Sequence, residues 1–348
     1  MLRLLGIGVL GILLWQVDAP DLTRLLRQAQ WSIVAVAFFL NIPHILLKSQ
    51  RWLLLLRAQG IRYRWVSAYL VYYSSIFVGL LTPGRLGEFI KALHVSKDCN
   101  VSTKRAFTSV LVDRLFDLYA LAVVGGLALV ALGSLDAKAL TFSLLGIAVA
   151  LLFPPALVWN RASFVAAQRR GARLGKLGRA LLGEDGWATE VHRGLRELSI
   201  TSILVALLFT IVAYTIFYVQ TFLLALSLNL DASLPVISFA VALGSLVTLL
   251  PVSISGLGTR EAAVVAYLGS SGVSAEAALG FSLLVFAVFY LGGAIIGSVA
   301  WMIKPAQWGK AKRIRIAQIR EIANLPDMGH NDPRSAADSL LRDHDHAP

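Results

Sequence analysis

The sequence predicts an all-α polytopic membrane protein, and three observations support this. Hydrophobic residues make up 57% of the 348 residues and charged residues only 15%, whereas about 25% of a soluble domain is charged. Apolar runs of about 17 or more residues, long enough to cross a bilayer as a helix, recur along the chain. Two of these runs end in a similar motif of proline, glycine, arginine and glutamate, which indicates helices broken inside the membrane.

Eight apolar segments are candidates for membrane helices. The first follows Met1 and Arg3, as a signal peptide would, but the small residues of a cleavage site do not follow it, so we expect a retained span. The uncharged run 198–230 is longer than the bilayer core is thick, so it must tilt, protrude or bend. The segments are 4–17, 31–47, 65–82, 106–132, 140–159, 198–230, 234–250 and 277–303.

The charges between these segments predict the topology. Segments 48–64, 160–197 and 304–320 are strongly basic, which places them in the cytoplasm. A full crossing by 65–82 would carry the basic 160–197 to the outside. The conflict disappears if 65–95 enters the membrane from the cytoplasm and returns to the same side.

A second re-entrant segment, 234–267, entering from outside, completes this topology. The result is an inverted repeat of about six full spans plus two re-entrant helical hairpins that meet near the midplane, an architecture from which many transporters build a central site. An ordinary eight-span bundle, with Pro83 and Pro251 as kinks, is the alternative. The predicted divisions are a first span and outer loop at 1–30, repeat 1 at 31–160, a basic cytoplasmic loop at 161–197, repeat 2 at 198–303, and a basic, then disordered tail at 304–348.

The first break carries charges at membrane depth. Its helix-breaking residues are Pro83, Gly84 and Gly87. A helix beginning after the break would point free N–H groups at an anion, and Arg85 would add a fork for phosphate or carboxylate. Glu88 and Lys91, three residues apart, share one face of that helix. The alternative is that Arg85 and Glu88 pair with one another, or with their counterparts at the second break, and lock the break.

The segment 106–132 contains a second charged motif. Asp113 and Asp117 lie four residues apart on one helical face, and Arg114 lies three residues before Asp117. Such charges face a protein interior or a wet cavity. They therefore contact a ligand, or they brace the first hairpin through an ion pair of Arg114 with Asp117 or Glu88.

The second break follows Pro251 and offers hydroxyls, close backbone approach and a further ion pair. Arg260 corresponds to Arg85 of the first break, and Glu261 corresponds to Glu88. Because Arg260 and Glu261 are adjacent, they point about 100° apart on a helix and need partners elsewhere to face one ligand. The candidate residues here are Ser255, Gly256, Gly258, Arg260 and Glu261.

Other functional classes lack support in the sequence. The net charge of +12 follows from basic loops of a membrane protein, and no free-standing basic domain indicates nucleic-acid binding. We find no P-loop and no zinc-type spacing of Cys and His, so no cofactor or metal is expected. His344 and His346 lie in the predicted disordered tail, where nothing orders a coordination shell. The single cysteine, Cys99, excludes an internal disulfide.

Three motifs, in this order, resemble a known family. They are L-L-T-P-G-R-L-G-E-F at 80–89, V-L-V-D-R-L-F-D-L at 110–118 and L-P-V-S-I-S-G-L-G-T-R-E-A at 250–262. They resemble the membrane region of lysylphosphatidylglycerol synthases, a wider family of flippase-like membrane proteins, over roughly residues 30–303. The resemblance implies that the following residues are functional motif positions: Pro83, Gly84, Arg85, Gly87, Glu88, Asp113, Arg114, Gly256, Gly258, Arg260 and Glu261.

The resemblance implies movement of a charged lipid between leaflets. The best-known members also carry a soluble aminoacyl-transferase domain, and because a matching segment is not found in this sequence, the synthase activity is not expected. We therefore expect a multi-pass protein of a bacterial-type inner membrane, with both termini cytoplasmic and no catalytic residue. It would move an amphiphile with a phosphate-containing or charged headgroup, such as a phospholipid, an aminoacyl-lipid or a polyprenyl-linked lipid. The oligomeric state stays open.

Two other classes of function stay open at the level of sequence. One is a membrane-embedded lipid-modifying transferase that uses Asp113 or Glu88 as a base. The other is an accessory scaffold for an enzyme of cell-envelope lipid or glycan synthesis, which would make that enzyme its partner.

Overall fold

The computed structural model describes residues 2–82, 85–131, 187–249, 253 and 255–305, and within these ranges it is helical with no β-strand. It also contains a 3-10 turn, Leu86–Phe89, and a π-helical segment, Phe286–Leu291. The α-helices are α1 Leu2–Gln16, α2 Ala19–Arg27, α3 Trp31–Phe39, α4 Asn41–Ala58, α5 Trp65–Leu80, α6 Ile90–Asp98, α7 Thr103–Ala131, α8 Trp187–Arg196, α9 Ile200–Ser227, α10 Leu234–Val247, α11 Thr259–Ser270, α12 Ala275–Val285 and α13 Gly292–Ile303.

Several predicted features lie outside the described residues. They are the helix-breaking residues Pro83, Gly84 and Pro251, the span 140–159, most of the basic loop 161–197, and nearly all of the tail 304–348, including His344 and His346.

The structure confirms an all-α polytopic membrane protein. Within the described part of the chain, four helical stretches are long and apolar enough to cross a membrane, namely Trp31–Ala58, Thr103–Ala131, Ile200–Ser227 and Ala275–Ile303. Helices α5 and α10 are shorter and also apolar. At 1.5 Å per residue, a 28-residue helix is about 42 Å long, which exceeds a bilayer core of about 30 Å. Leu204, Leu208 and Ile211 give α9 an exposed apolar stripe, as expected for a lipid-facing surface.

The segment around the first break folds back on itself as a helical hairpin. At its open end, Tyr63 donates a hydrogen bond to Asp98 (2.6 Å), and the Cys99 thiol lies 3.5 Å from the carbonyl oxygen of Arg62. At its tip, the Gly87 amide donates to Thr82 Oγ1 (2.7 Å). A Cβ on Gly87 would lie 2.4 Å from the Val78 carbonyl oxygen, so only glycine permits this tight return.

The segment around the second break forms a matching hairpin of α10 and α11. Near the tip, a Cβ on Gly244 would lie 2.9 Å from side-chain atoms of both Arg260 and Val264. Near the open end, the rings of Phe239 and Tyr267 meet edge to face at 6.4 Å. The two helices therefore run antiparallel and close together.

The open ends of the two hairpins lie at opposite ends of the helix bundle. Tyr63, at the open end of the first hairpin, accepts a hydrogen bond from Lys304 after α13 (3.1 Å). Close by in the chain, the Gln59 carbonyl accepts from Arg105, which pairs with Glu197 just before α9 (3.7 Å). The open end of the second hairpin lies beside the end of α9. There the backbone amide of Gln30 donates to the Ser227 carbonyl oxygen (2.8 Å). The tips meet, since the Ser255 hydroxyl donates to the Leu80 carbonyl oxygen (2.7 Å). The inverted repeat at the level of sequence stays a prediction.

One expectation about the second apolar segment is wrong. From the sequence we predicted that this span ends at residue 47 and that Lys48 and Arg51 lie in a cytoplasmic segment. In the structure α4 continues to Ala58, and Arg51 is completely buried. The helix continues because carboxylates of α7 compensate these charges inside the bundle, so an apolar surrounding no longer excludes them.

Candidate functional site

Asp113 lies at the centre of a buried charge cluster. Its carboxylate accepts hydrogen bonds from Arg51 on α4 (2.9 and 2.7 Å) and from Lys91 on α6 (3.0 Å). Tyr72 on α5 donates a further bond at 3.2 Å. Because these partners come from three helices, one carboxylate on α7 holds the first hairpin against α4.

Asp117, one turn further along α7, extends the cluster toward α9. It pairs with Arg51 (2.8 Å), with Lys48 (3.0 Å) and with Arg114 (3.5 Å). Arg51 also donates to the Thr210 hydroxyl at 3.0 Å. The guanidinium of Arg51 thus contacts both predicted carboxylates and joins α4, α7 and α9.

Glu88 connects the tip of the first hairpin to α7. It forms ion pairs with Arg85 (2.7 Å) and with Arg114 (2.5 Å), and it is almost completely buried. Both contacts were structural alternatives raised by the sequence. The side chains of Arg85 and Arg114 are nevertheless 27% and 23% exposed, whereas those of Arg51 and Lys91 are completely buried. Arg85 and Arg114 are therefore the most exposed cationic side chains of the cluster.

The formal charges in this cluster do not cancel. Among the described residues it contains five basic side chains and three carboxylates, which leaves an excess of two positive charges. An uncompensated charge is costly in a low-dielectric interior. The basic members are Lys48, Arg51, Arg85, Lys91 and Arg114, and the acidic members are Glu88, Asp113 and Asp117.

A cavity of about 310 Å³ lies beside the charge cluster, between α4, α5, α7, α9 and the end of α10. We call it the polar cavity. Its polar lining includes Lys48, Arg85, Glu88, Arg114, Asp117 and Tyr214. Both partly exposed arginines therefore face a space inside the bundle.

A larger cavity of about 860 Å³ lies between α7 and α9, and we call it the apolar groove. Its walls are mostly aliphatic and aromatic, as at Phe116, Val123 and Leu207. Leu115 and Tyr214 line both the polar cavity and the apolar groove. A charged space and an apolar space are thus separated by shared side chains.

The second break is built differently from the first. Arg260 is buried and pairs with its neighbour Glu261. Glu261 also accepts a hydrogen bond from the Gly258 amide at 2.6 Å, which caps the start of α11. Gly256 and Gly258 have φ values of +78° and +84°, a region that favours glycine. Ser255 contacts the first hairpin at Leu80 rather than the polar cavity.

The arginines of the two breaks meet at one aromatic ring. The guanidinium carbon of Arg260 lies 4.6 Å from the centre of the Tyr290 ring, and that of Arg85 lies 5.3 Å from it. A cation this close to an aromatic ring is attracted by its π electrons. The predicted correspondence of Arg85 and Arg260 is therefore also a spatial one.

Backbone amides at the breaks are less available than the sequence suggested. The Gly87 amide bonds to Thr82, and the Gly258 amide bonds to Glu261. After the first break the chain forms a single 3-10 turn, with Arg85 in the left-handed region, before α6 begins at Ile90. Side chains, rather than free helix N-termini, are thus the main anion-binding groups available here.

The sequence missed some residues of the site. Lys48 and Arg51 were assigned to a loop because basic residues at the end of an apolar run usually mark the cytoplasmic side. Their spacing of three on one helical face, without a nearby acid, was the available signal. Tyr290 had no signal, because aromatic residues are common in membrane helices.

Apolar helices of spanning length, with ion pairs buried between them, define a multi-pass α-helical membrane protein. The chain belongs to the family of the lysylphosphatidylglycerol synthase transmembrane region, whose family model matches residues 2–297. The match includes all three motifs on which the resemblance was based.

A relative supports this assignment. Over 155 residues the chain is 26% identical to the UPF0104 membrane protein PH1989 of Pyrococcus horikoshii. The match covers 44% of this chain and 46% of the relative, so the chain spans about half the length of the curated relative it matches.

Proposed function

We propose that this protein binds the anionic headgroup of an amphiphile in the polar cavity and moves the amphiphile between the two leaflets. The supporting observation is the excess of two positive charges in the cluster beside that cavity. A phosphate group would compensate this excess, and the planar guanidinium groups of Arg85 and Arg114 match its oxygens.

The two cavities suit the two parts of an amphiphile. A volume of about 310 Å³ accommodates a phosphate-containing headgroup, and the apolar groove accommodates acyl chains. With Leu115 and Tyr214 shared between them, the headgroup would remain among charges while the chains remain in an apolar environment. This division keeps the energetic cost of moving a charged group through the bilayer low.

The arrangement of the hairpins favours transport. Their open ends lie at opposite ends of the bundle and their tips are in contact through Ser255 and Leu80. Broken helices that meet in this way give a central site access to both sides. The bundle end that carries Arg57, Arg62 and Arg64 would face the cytoplasm of a bacterial-type inner membrane.

A transferase activity has less support. Asp113 is completely buried, and its carboxylate pairs with Arg51, Lys91 and, at 3.9 Å, Arg114. It also accepts a hydrogen bond from Tyr72. Glu88 is engaged by Arg85 and Arg114. A general base needs an oxygen directed at its substrate, and these oxygens are directed at cations. Supply of the lipid by a partner enzyme of envelope-lipid synthesis is compatible with transport.

A lipid-movement assay tests the proposal. The purified protein is reconstituted into vesicles that contain fluorescent phosphatidylglycerol, and dithionite added outside reports movement from the inner leaflet. The double variant Arg85→Ala, Arg114→Ala should lower the rate at least tenfold, since two charged hydrogen bonds to the headgroup disappear.

The matched control is Arg193→Ala on α8. Arg193 pairs with Glu190 at 2.7 Å and a spacing of three, like Arg85 with Glu88, but its side chain is 59% exposed. It should leave the rate unchanged. If the double variant folds and moves lipid at the wild-type rate, the proposal is wrong. A covalently altered lipid in the mass spectrum would instead indicate a transferase, and charges needed only for folding would indicate a scaffold.

A further inference from the structure

A small recess lies on the side of Tyr290 that faces Arg260. It has a volume of about 10 Å³, room for one water-sized group, and its polar lining comprises Arg260, Ser245, Ser282 and Tyr290. Phe217, Ser245 and Tyr290 line both this recess and the polar cavity. The recess and the polar cavity are therefore neighbours across a shared wall, and Tyr290 is part of that wall.

The recess is lined by polar atoms without partners. Arg260 is 2% exposed, and its Nε and one terminal nitrogen find no hydrogen-bond partner among the described residues. The hydroxyl of Ser282, 1% exposed, is likewise unpartnered there. Buried donors of this kind are rare because each loses its hydrogen bonds to water. An arginine with two unused donors and a nearby hydroxyl are suited to the oxygens of an anion.

Tyr290 is placed to separate two arginine sites. Its ring contacts Arg85 from the polar cavity and Arg260 from the recess, and it stacks on Phe286 at 5.6 Å. Phe286 and Tyr290 both lie in the π-helical segment, a geometry often found at functional positions in helices. A rotation of this one ring would join the recess to the polar cavity.

We infer that Arg260 and Ser282 form a second binding station for the same anionic headgroup, and that Tyr290 is the gate between this station and Arg85. This inference rests on the proposed function. The headgroup phosphate first binds Arg85 at the tip of the first hairpin. When the Tyr290 ring swings away, the unused donors of Arg260 and the Ser282 hydroxyl receive its oxygens. Both guanidinium groups contact the Tyr290 ring, Arg85 at 5.3 Å and Arg260 at 4.6 Å, so the ring stabilises each cation while it has no anion.

Cysteine reactivity tests the station without relying on transport. The full chain with Cys99→Ser and Ser282→Cys is treated in detergent with a negatively charged thiol reagent, sulfonatoethyl methanethiosulfonate, and with the neutral methyl methanethiosulfonate. With Tyr290 present both reactions should be slow. Tyr290→Ala should accelerate the anionic reagent about tenfold more than the neutral one, as expected when charged hydrogen bonds to Arg260 attract it.

Arg260→Gln in the Tyr290→Ala background should abolish the preference for the anionic reagent. Phosphatidylglycerol added to the detergent micelles should protect the cysteine from reaction only when Arg260 is present. The control Arg193→Gln should retain the preference. Should Tyr290→Ala fail to fold, Tyr290→Leu replaces it. Equal acceleration of both reagents, or a preference that survives Arg260→Gln, would overturn the inference.

The inference and the proposed function can fail separately. If the preference for the anionic reagent depends on Arg260 but the protein moves no lipid, the second binding station is supported and transport is refuted. Lipid movement that depends on Arg85 and Arg114, without any charge preference at Ser282→Cys, refutes the station alone.

Discussion

The two hairpins carry similar motifs but are stabilised by different interactions. The first is held by an extended network, in which Glu88 and Lys91 reach α7 through Arg114 and Asp113. Among the described residues, the second pairs Arg260 only with its neighbour Glu261, and it rests on aromatic rings. Related motifs thus provide a braced hairpin with one partly exposed arginine, Arg85, and a second hairpin whose arginine keeps donors that are unpartnered among the described residues.

The difference suggests a division of roles. The first hairpin is tied to α7 by ion pairs of Glu88 and Lys91 that are expensive to separate inside a bundle. The second has fewer such ties, and its arginine contacts a ring that can rotate. If one hairpin moves in the proposed transport, we expect it to be the second.

The largest effect is expected for Arg51→Met. Arg51 contacts both Asp113 and Asp117, so its loss leaves two buried carboxylates short of a partner. Removal of one partner from a buried ion pair costs about 3–5 kcal/mol of folding free energy. The midpoint of thermal unfolding in detergent measures it. Asp113→Asn added to Arg51→Met should recover part of the loss, and additive losses would contradict the network.

A smaller effect on stability is expected for Glu261→Gln in the second hairpin. The change removes the charge partner of Arg260, but the amide oxygen can still accept the bond from the Gly258 amide. We expect a cost of about 1–3 kcal/mol, below that of Arg51→Met. The same unfolding assay compares them directly. If Glu261→Gln proves as damaging as Arg51→Met, the two hairpins are equally braced and the division of roles is wrong.

The smallest effect is expected at the open end of the first hairpin and depends on pH. Burial acts to raise the pKa of Asp98, but hydrogen bonds from Lys304 and Tyr63 outweigh it and hold that pKa below the usual 3.8. A carboxylate with a lowered pKa stabilises the fold above its unfolded pKa, and the contribution disappears as the pH falls through the folded pKa.

Asp98→Asn should therefore unfold at a lower temperature than the wild type at pH 7, and the gap should shrink as the pH falls below about 4. Scanning fluorimetry across this range measures the gap. The open end of the second hairpin, where Phe239 and Tyr267 pack together, offers the control Phe239→Leu, whose difference from wild type should not depend on pH. A gap for Asp98→Asn that is constant with pH would contradict the ion pair.

Much of the fold was predictable from local patterns. Apolar runs of spanning length identified the four described helical stretches that can cross a membrane, because unpaired backbone groups are not tolerated in lipid and a long apolar segment must form a helix. The breaks near residues 83 and 251 were recognisable from proline and glycine, and Asp113, Arg114 and Asp117 from charge inside an apolar run. The end of α4 was misplaced, since sequence alone does not reveal that Asp113 and Asp117 compensate Arg51 and Lys48 across the bundle.

The sequence by itself determined an α-helical membrane protein with two broken helices and a set of intramembrane charges, since composition, helix length and chain breaks are local properties. Only the tertiary structure decided which charges cancel, which arginines remain accessible, and that Arg85 and Arg260 meet at Tyr290. These outcomes depend on distances between residues far apart in the chain. Electrostatic energy in a low-dielectric interior varies steeply with such distances, and no local pattern encodes them.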